Sequence, residues 1–248
     1  MEPMASKAYF DGVRELLTTA YESQSPAISA AAKRLVQAVE DRKTLFVFGA
    51  THSAIMVAEA TYRAGGLAVM NPILAPGMWL DQRPVTLTSR LENVPGFAAA
   101  LLDEVRVDAG DVLIVASTSG RNVVPVEMAL EGKLRGLSVI GITSVAYSSA
   151  QPSRHPSGKR LAEVADIVLD NLAPVGDALV DLSESGPRVG PVSTIIGVFL
   201  LNAVVVETAS MLAARGMVPP VLMSANLQGG TEHNARVMEL FQDRIRYL

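Results

Sequence analysis

Apolar positions along the chain follow two rhythms that alternate from end to end. Short continuous runs of β-favouring residues predict buried strands at Leu45-Phe46-Val47-Phe48, Leu67–Leu74, Val112–Ala116, Leu137–Ile142 and Ala165–Leu169. Between them the spacing is helical, as in Ile55, Met56, Ala58 and Ala60, in Phe97–Val105, and in the segment after Asn122 that Gly136 closes. Ahead of the first strand, Tyr9-Phe10, Val13 and Leu16-Leu17 predict a helix from about Met4 to Tyr21. Ser25-Pro26 then reads as an N-cap with proline at the first helical position, and so predicts a second helix through Ile28, Ala32, Leu35, Val36 and Val39. Gly65-Gly66 is expected to end the helix that follows the first strand, Met78–Pro95 reads as loop-like, and Thr143–Lys159 as a loop or a short broken helix. Asn171–Val192 reads as a long connection, Pro191–Ala214 as a long apolar helix, and Thr231–Arg246 as a final helix. Strands that alternate with helices imply an α/β fold, a doubly wound parallel sheet of five strands. N-terminal helices (1–42) precede the α/β core (43–214), and a C-terminal helical arm (215–248) completes a single unit.

Two of the strands open directly into turns rich in hydroxyl groups, Gly49-Ala50-Thr51-His52-Ser53 and Ser117-Thr118-Ser119-Gly120-Arg121-Asn122. In a doubly wound sheet such turns lie on one edge, where helix N-termini and unpaired backbone N–H groups favour an anion, most often a phosphate. Serine and threonine add neutral donors, so a phosphate can be held without a metal or a lysine. The competing account is that these hydroxyls are helix caps. One cap per helix explains one hydroxyl, whereas Ser117-Thr118-Ser119 supplies three in a row.

Composition narrows the classes. Of 248 residues, 49% are hydrophobic and 19% charged, which fits a compact fold. A net charge of −4 argues against a nucleic-acid partner. The absence of cysteine excludes disulfides and a thiolate nucleophile, and three scattered histidines show no metal-ligand spacing, so neither metal nor other cofactor is expected. The start, MEPMASKAYFDG, lacks a signal-peptide core, and the apolar run Ile195–Val206 is interrupted by Gly197 and Asn202. That run reads as too short to span a bilayer, so a cytoplasmic protein with no membrane partner is expected.

The motif VLIVASTSGRN closely resembles the second signature of the sugar isomerase (SIS) domain family, a strand running into Ser-x-Ser-Gly and a helix. FVFGATHS is similar to the first signature, Gly-x-x-x-Ser after the first strand. The likeness covers roughly Lys33 to Arg215, and the endings SANLQGGTEHN and RIRYL look like a bacterial branch labelled phosphoheptose-isomerase-like. The resemblance implies a flavodoxin-like three-layer sandwich, a phosphosugar ligand, and assembly into a homodimer or homotetramer. It places Ser53, Ser117, Thr118 and Ser119 at the phosphate, with Gly120 and Asn122 completing the second loop and Gly49, Thr51 and His52 lining the first.

Aldose–ketose isomerisation, the activity the resemblance implies, needs a base near neutral pH and a second proton-shuttling group. Phosphoheptose isomerases take a glutamate ten residues after the loop serine and a histidine from a late helix. Here the first position is Arg63, and Ser193–Glu207 contains no histidine. Glu59 has two readings, a poised base or the i,i+4 partner of Arg63. His233 is either an acid–base group or a surface histidine near a helix start capped by Thr231. Glu92, with Arg90, is read as lining the sugar pocket, Arg121 as a phosphate partner or a solvated residue, and His155 as solvated. Two other readings use the same cradle: a non-catalytic phosphosugar sensor, and an amino-sugar phosphate lyase or etherase.

Overall fold

The structure, a computed structural model, describes residues 4–248. Strands β1 (Leu45–Gly49), β2 (Met70–Pro72), β3 (Val112–Ala116), β4 (Ser138–Thr143) and β5 (Ile167–Asp170) form one parallel sheet in the order β2-β1-β3-β4-β5. Helices α1 (Ala5–Glu40), α2 (Ala54–Ala60), α3 (Thr86–Leu91), α4 (Phe97–Val105) and α5 (Val123–Leu134) interleave with the first three strands. Short helices α6 (Val145–Ser149) and α7 (Leu161–Val164) follow β4, and α8 (Ser193–Ala214) and α9 (Gly230–Leu240) close the chain. Every position of β1 and β3 is buried. Side chains alternate between two cores as the pleat requires. Leu45 and Val47 meet α1, α2 and α8 on one face, while Phe46 and Phe48 meet α4 and α5 on the other. The expected three-layer α/β architecture is present.

The two expected N-terminal helices are one. A proline inside a helix removes a backbone bond and usually breaks it. At Pro26 the Ser25 hydroxyl donates back to the Tyr21 carbonyl, and residues on both sides of the proline, Ala20 and Ile28, are buried. Packing along α8 and β5 outweighs the local stop signal, and the Gln24 side chain accepts the Asp170 N–H at 3.0 Å. The first βα helix is also shorter than expected. It ends at Ala60, Thr61 turns extended with its hydroxyl on the Val57 carbonyl at 2.7 Å, and Gly65-Gly66 instead pairs with Leu222.

Two further differences concern length. The segment read as a connection contains an antiparallel hairpin, β6 (Ala178–Asp181) and β7 (Arg188–Pro191), laid on α1 where the Tyr9 hydroxyl donates to the Pro191 carbonyl at 2.6 Å. Four-residue strands carrying glycine and proline give no readable alternation. The 22-residue α8 is long and apolar enough to cross a bilayer, longer than the run Ile195–Val206 read from the sequence. In this fold one face of it packs against α1 and α2. Gly197 makes room for Met56, whose Cε would lie 2.6 Å from an added Cβ.

Candidate active site

In a doubly wound sheet, ligands bind where the strand order reverses, outside the carboxyl ends of the strands. That point lies here between β1 and β3, because the chain leaves β1 to one side and returns on the other. Gly49 and Ala116 pair in register as the last residues of those strands. Both hydroxyl-rich loops therefore start from neighbouring positions, about 5 Å apart across the sheet.

The first loop is a single tight turn, Thr51–Ser53, ahead of α2. Thr51 takes a left-handed φ of 54° and donates its N–H to the Met78 carbonyl at 2.8 Å. Gly49 lies under the turn, where a Cβ would sit 2.7 Å from the Ser53 carbonyl carbon. His52 is exposed, and Thr51 and Ser53 are half-buried. A cleft of about 400 Å³ runs along the segment that holds Thr51, with Leu74, Trp79, Asp81 and Gln82 among its walls.

The second loop is turned so that its carbonyls face the protein. Thr118, Gly120 and Arg121 accept from the N–H groups of Ser144, Leu161 and Arg154 at 2.9, 2.8 and 2.8 Å. The N–H groups of residues 118–122 have no acceptor among the described residues. Consecutive unpaired amides at a helix start form an anion nest. Gly120, at φ +57°, makes this path possible, since a Cβ there would lie 2.7 Å from the Thr143 hydroxyl. The cap account of the serines does not hold. Ser53 precedes α2 and Asn122 precedes α5, neither with a side-chain cap bond. Among the described residues no protein partner takes the hydroxyls of Ser53, Ser117, Thr118 or Ser119.

Glu92 is brought to this loop. It is 9% exposed, its carbonyl accepts the Val124 N–H in the first turn of α5 at 3.0 Å, and its carboxyl group lies against Asn122. Burial pushes that carboxyl above the usual glutamate range, partly offset by the Asn122 amide and the Arg154 charge. Such a group binds its proton more tightly in the fold than in the unfolded chain. Its contribution is therefore favourable below the ordinary glutamate pKa and is lost as pH rises through the elevated one. Glu92→Gln is expected to raise the melting temperature at neutral pH and to leave it unchanged near pH 3. Melting curves across pH check this, and an equal shift at both ends would remove the burial account.

Glu59 lies two turns into α2, about 9 Å along the helix from Ser53. Its Oε1 accepts both the Arg63 guanidinium and the Asn202 amide, the latter at 2.8 Å. His233 is not brought to the loops within one chain. Its Nε2 meets the Val221 carbonyl at 2.9 Å, so Nε2 is the donor of that bond. Val221 bridges Leu67, ahead of the β2 start that pairs with Leu45. That is the amino edge of the sheet, opposite the loops. The ending SANLQGGTEHN works there as a clasp, with the Asn234 amide accepting from and donating to the Met223 backbone at 2.8 and 2.9 Å.

Two cations at the second loop were under-read in the sequence. Arg154 Nη1 donates to Asn122 Oδ1 at 3.1 Å, and the buried Nε of Arg121 has no partner among the described residues. The adjacency of Arg121 to the serines was a visible signal; that of Arg154, 33 residues after Arg121, was not.

The family model described as SIS domain matches residues 8–144. A UPF0309 protein of Shouchella clausii is 41% identical over 240 residues, covering 97% of this chain and 98% of that one. One from Streptomyces coelicolor is 45% identical over 240 residues, 96% of each. A phosphoheptose isomerase from Neisseria gonorrhoeae superposes with a TM-score of 0.54 at 20% identity, covering 83% of this chain and 97% of that one.

Proposed function

Because the chain belongs to the SIS domain family and, within it, to the UPF0309 proteins, we propose that it binds a sugar phosphate across its two loops and interconverts aldose and ketose through an enediol. The observation that carries this reading is the row of unpartnered amides at residues 118–122 beside the unpartnered hydroxyls of Ser53, Ser117, Thr118 and Ser119. In the proposal these groups hold the phosphate, with Gly120 and Asn122 shaping the second loop. Gly49, Thr51, His52 and Glu92 surround the sugar. The fold shared with the gonococcal phosphoheptose isomerase supports it at the level of architecture only.

The test is thermal shift against a panel of sugar phosphates beside the same sugars unphosphorylated. A ligand that binds only the native state raises the melting temperature by mass action. Stabilisation by phosphorylated members alone, reduced roughly tenfold in affinity by Ser119→Ala through one lost charge-assisted bond, is the expected result. No shift with any member removes the phosphate cradle.

Of the proton-transfer pair read from the sequence, Glu59 has its carboxylate held by Arg63 and Asn202, and His233 would have to reach the loops from a second protomer. Assembly into a homodimer or homotetramer is therefore part of the reading. Light scattering should give a multiple of the 26.2 kDa chain mass; a monomer takes His233 out of the chemistry. A non-catalytic sensor is the second reading. The hold of Arg63 and Asn202 on Glu59 favours it, and it predicts stabilisation by ligand without turnover.

A further inference from the structure

A base for the proposed reaction must stand beside a sugar whose phosphate is fixed at residues 118–122, and the carboxyl group standing against that loop is that of Glu92. We infer that Glu92 is the catalytic acid–base residue of this site, an assignment that rests on the sugar-phosphate reading above. The C2–H bond breaks, its proton going to the carboxylate and its electron pair becoming the C1–C2 double bond of the enediol. The carbonyl oxygen at C1 gains a proton as the C2 hydroxyl gives one up. C1 then takes the proton held by the carboxyl group while C2–O becomes the new carbonyl, so the reaction is balanced without a further reactant.

The support around Glu92 is rigid on both sides. Its backbone is bonded to Val124, and four and six residues later the N–H groups of Gly96 and Ala98 reach the Glu127 carboxylate at 2.7 and 3.0 Å. Val124 and Glu127 both belong to α5, so the segment carrying the carboxyl group is fastened to the same helix that the loop enters. Asn122 is oriented as well: its Oδ1 takes the Arg154 guanidinium at 3.1 Å. A reacting group held this way needs little reorganisation when substrate arrives.

A purely structural role accounts poorly for a carboxyl group here. Burial of a carboxylate is costly unless it is fully paired, and Glu92 is met by one neutral amide and by the charge of Arg154, an exposed side chain. A glutamine of the same shape would be buried there at no such cost. Displacement of the carboxyl towards neutrality is what proton transfer at physiological pH requires. A phosphate bound next door adds negative charge and moves it further the same way. Glu59, by contrast, has its oxygen held by Arg63 and Asn202.

Wild type, Glu92→Gln and Glu59→Gln are compared by turnover of the stabilising sugar phosphate and by thermal shift with the same compound. Glutamine keeps the shape and removes only the ionisable group, so folding is retained. For Glu92→Gln, kcat is expected to fall by about 10²–10⁴-fold, the usual range for a positioned acid–base group, with ligand-induced stabilisation within about threefold in apparent affinity. The wild-type pH–rate profile should rise through an apparent pKa above the ordinary glutamate range, and the residual rate of the variant should lack that limb. Retention of kcat within about threefold in Glu92→Gln, with its loss in Glu59→Gln, overturns the assignment and leaves the sugar-phosphate reading standing. Loss of stabilisation along with turnover makes Glu92 a binding residue and overturns it too. A wild type that binds sugar phosphates but turns none over removes the isomerase reading and this assignment together, whereas the phosphate cradle survives.

Discussion

Gly49→Ala is expected to lower the melting temperature by roughly 5–10 °C and to abolish stabilisation by sugar phosphates. The added Cβ meets backbone, not a movable side chain: it would sit 2.7 Å from the Ser53 carbonyl carbon, and the Ala54 nitrogen is 3.2 Å away. Relief requires the Thr51–Ser53 turn to lift from the end of β1. Forced overpacking of this kind costs about 1–3 kcal/mol or somewhat more, and each kcal/mol is worth about 2–4 °C at this chain length. The same displacement moves the Ser53 hydroxyl and strains the Thr51 bond to Met78, so the half of the cradle contributed by β1 is lost. Differential scanning fluorimetry with and without ligand measures both effects. A Gly49→Ala protein that melts lower yet keeps its full ligand-induced shift would show that the first loop does not hold the phosphate.

Where local chemistry and packing agree, the sequence was legible. Val112–Ala116 and Phe97–Val105 occupy their predicted residues, the strand because it is an apolar run buried throughout, the helix because its spacing turns Ala98 and Leu102 to the core. The loops Gly49–Ser53 and Ser117–Asn122 could be located from hydroxyl-rich residues at the ends of apolar strands, and strand order brings them together at Gly49 and Ala116. What could not be read depends on distant parts of the chain. Pro26 looks like a helix start locally, and only contact with α8 and Asp170 carries the helix through it. Glu59 had two local readings, and the second partner of its carboxylate, Asn202, lies 143 residues away. The burial of Glu92 comes from α5, which no pattern around residue 92 announces. His233 looked chemical for its residue type, whereas its position at the amino edge of the sheet follows from the pairing of Leu67 with Val221.

Asn71→Leu should be the most destabilising single change outside the site, with a loss of roughly 3–5 kcal/mol. Asn71 is 1% exposed on the edge strand β2. Its amide nitrogen faces the carbonyls of Leu45, Val69 and Arg244 at 3.1, 2.9 and 2.8 Å, and its oxygen accepts the Arg246 N–H at 2.6 Å. An edge strand presents unpaired backbone groups that a protein must cover, and here the covering segment is the end of the chain itself, tied through one side chain. Leucine matches the volume but leaves several buried polar groups without partners, each costing about 1–3 kcal/mol. Arg244 then loses its seat as well: its guanidinium donates to the Val39 carbonyl at 2.7 Å and stacks on Phe241, and both contacts require the arm to stay docked. The melting temperature should fall by roughly 10 °C, and hydrogen exchange at the Arg246 amide should accelerate ahead of exchange in β1 and β3. If exchange instead rises uniformly across the sheet, the arm and the edge strand unfold only with the whole domain, and Asn71 acts on global stability with no separate clasp to release.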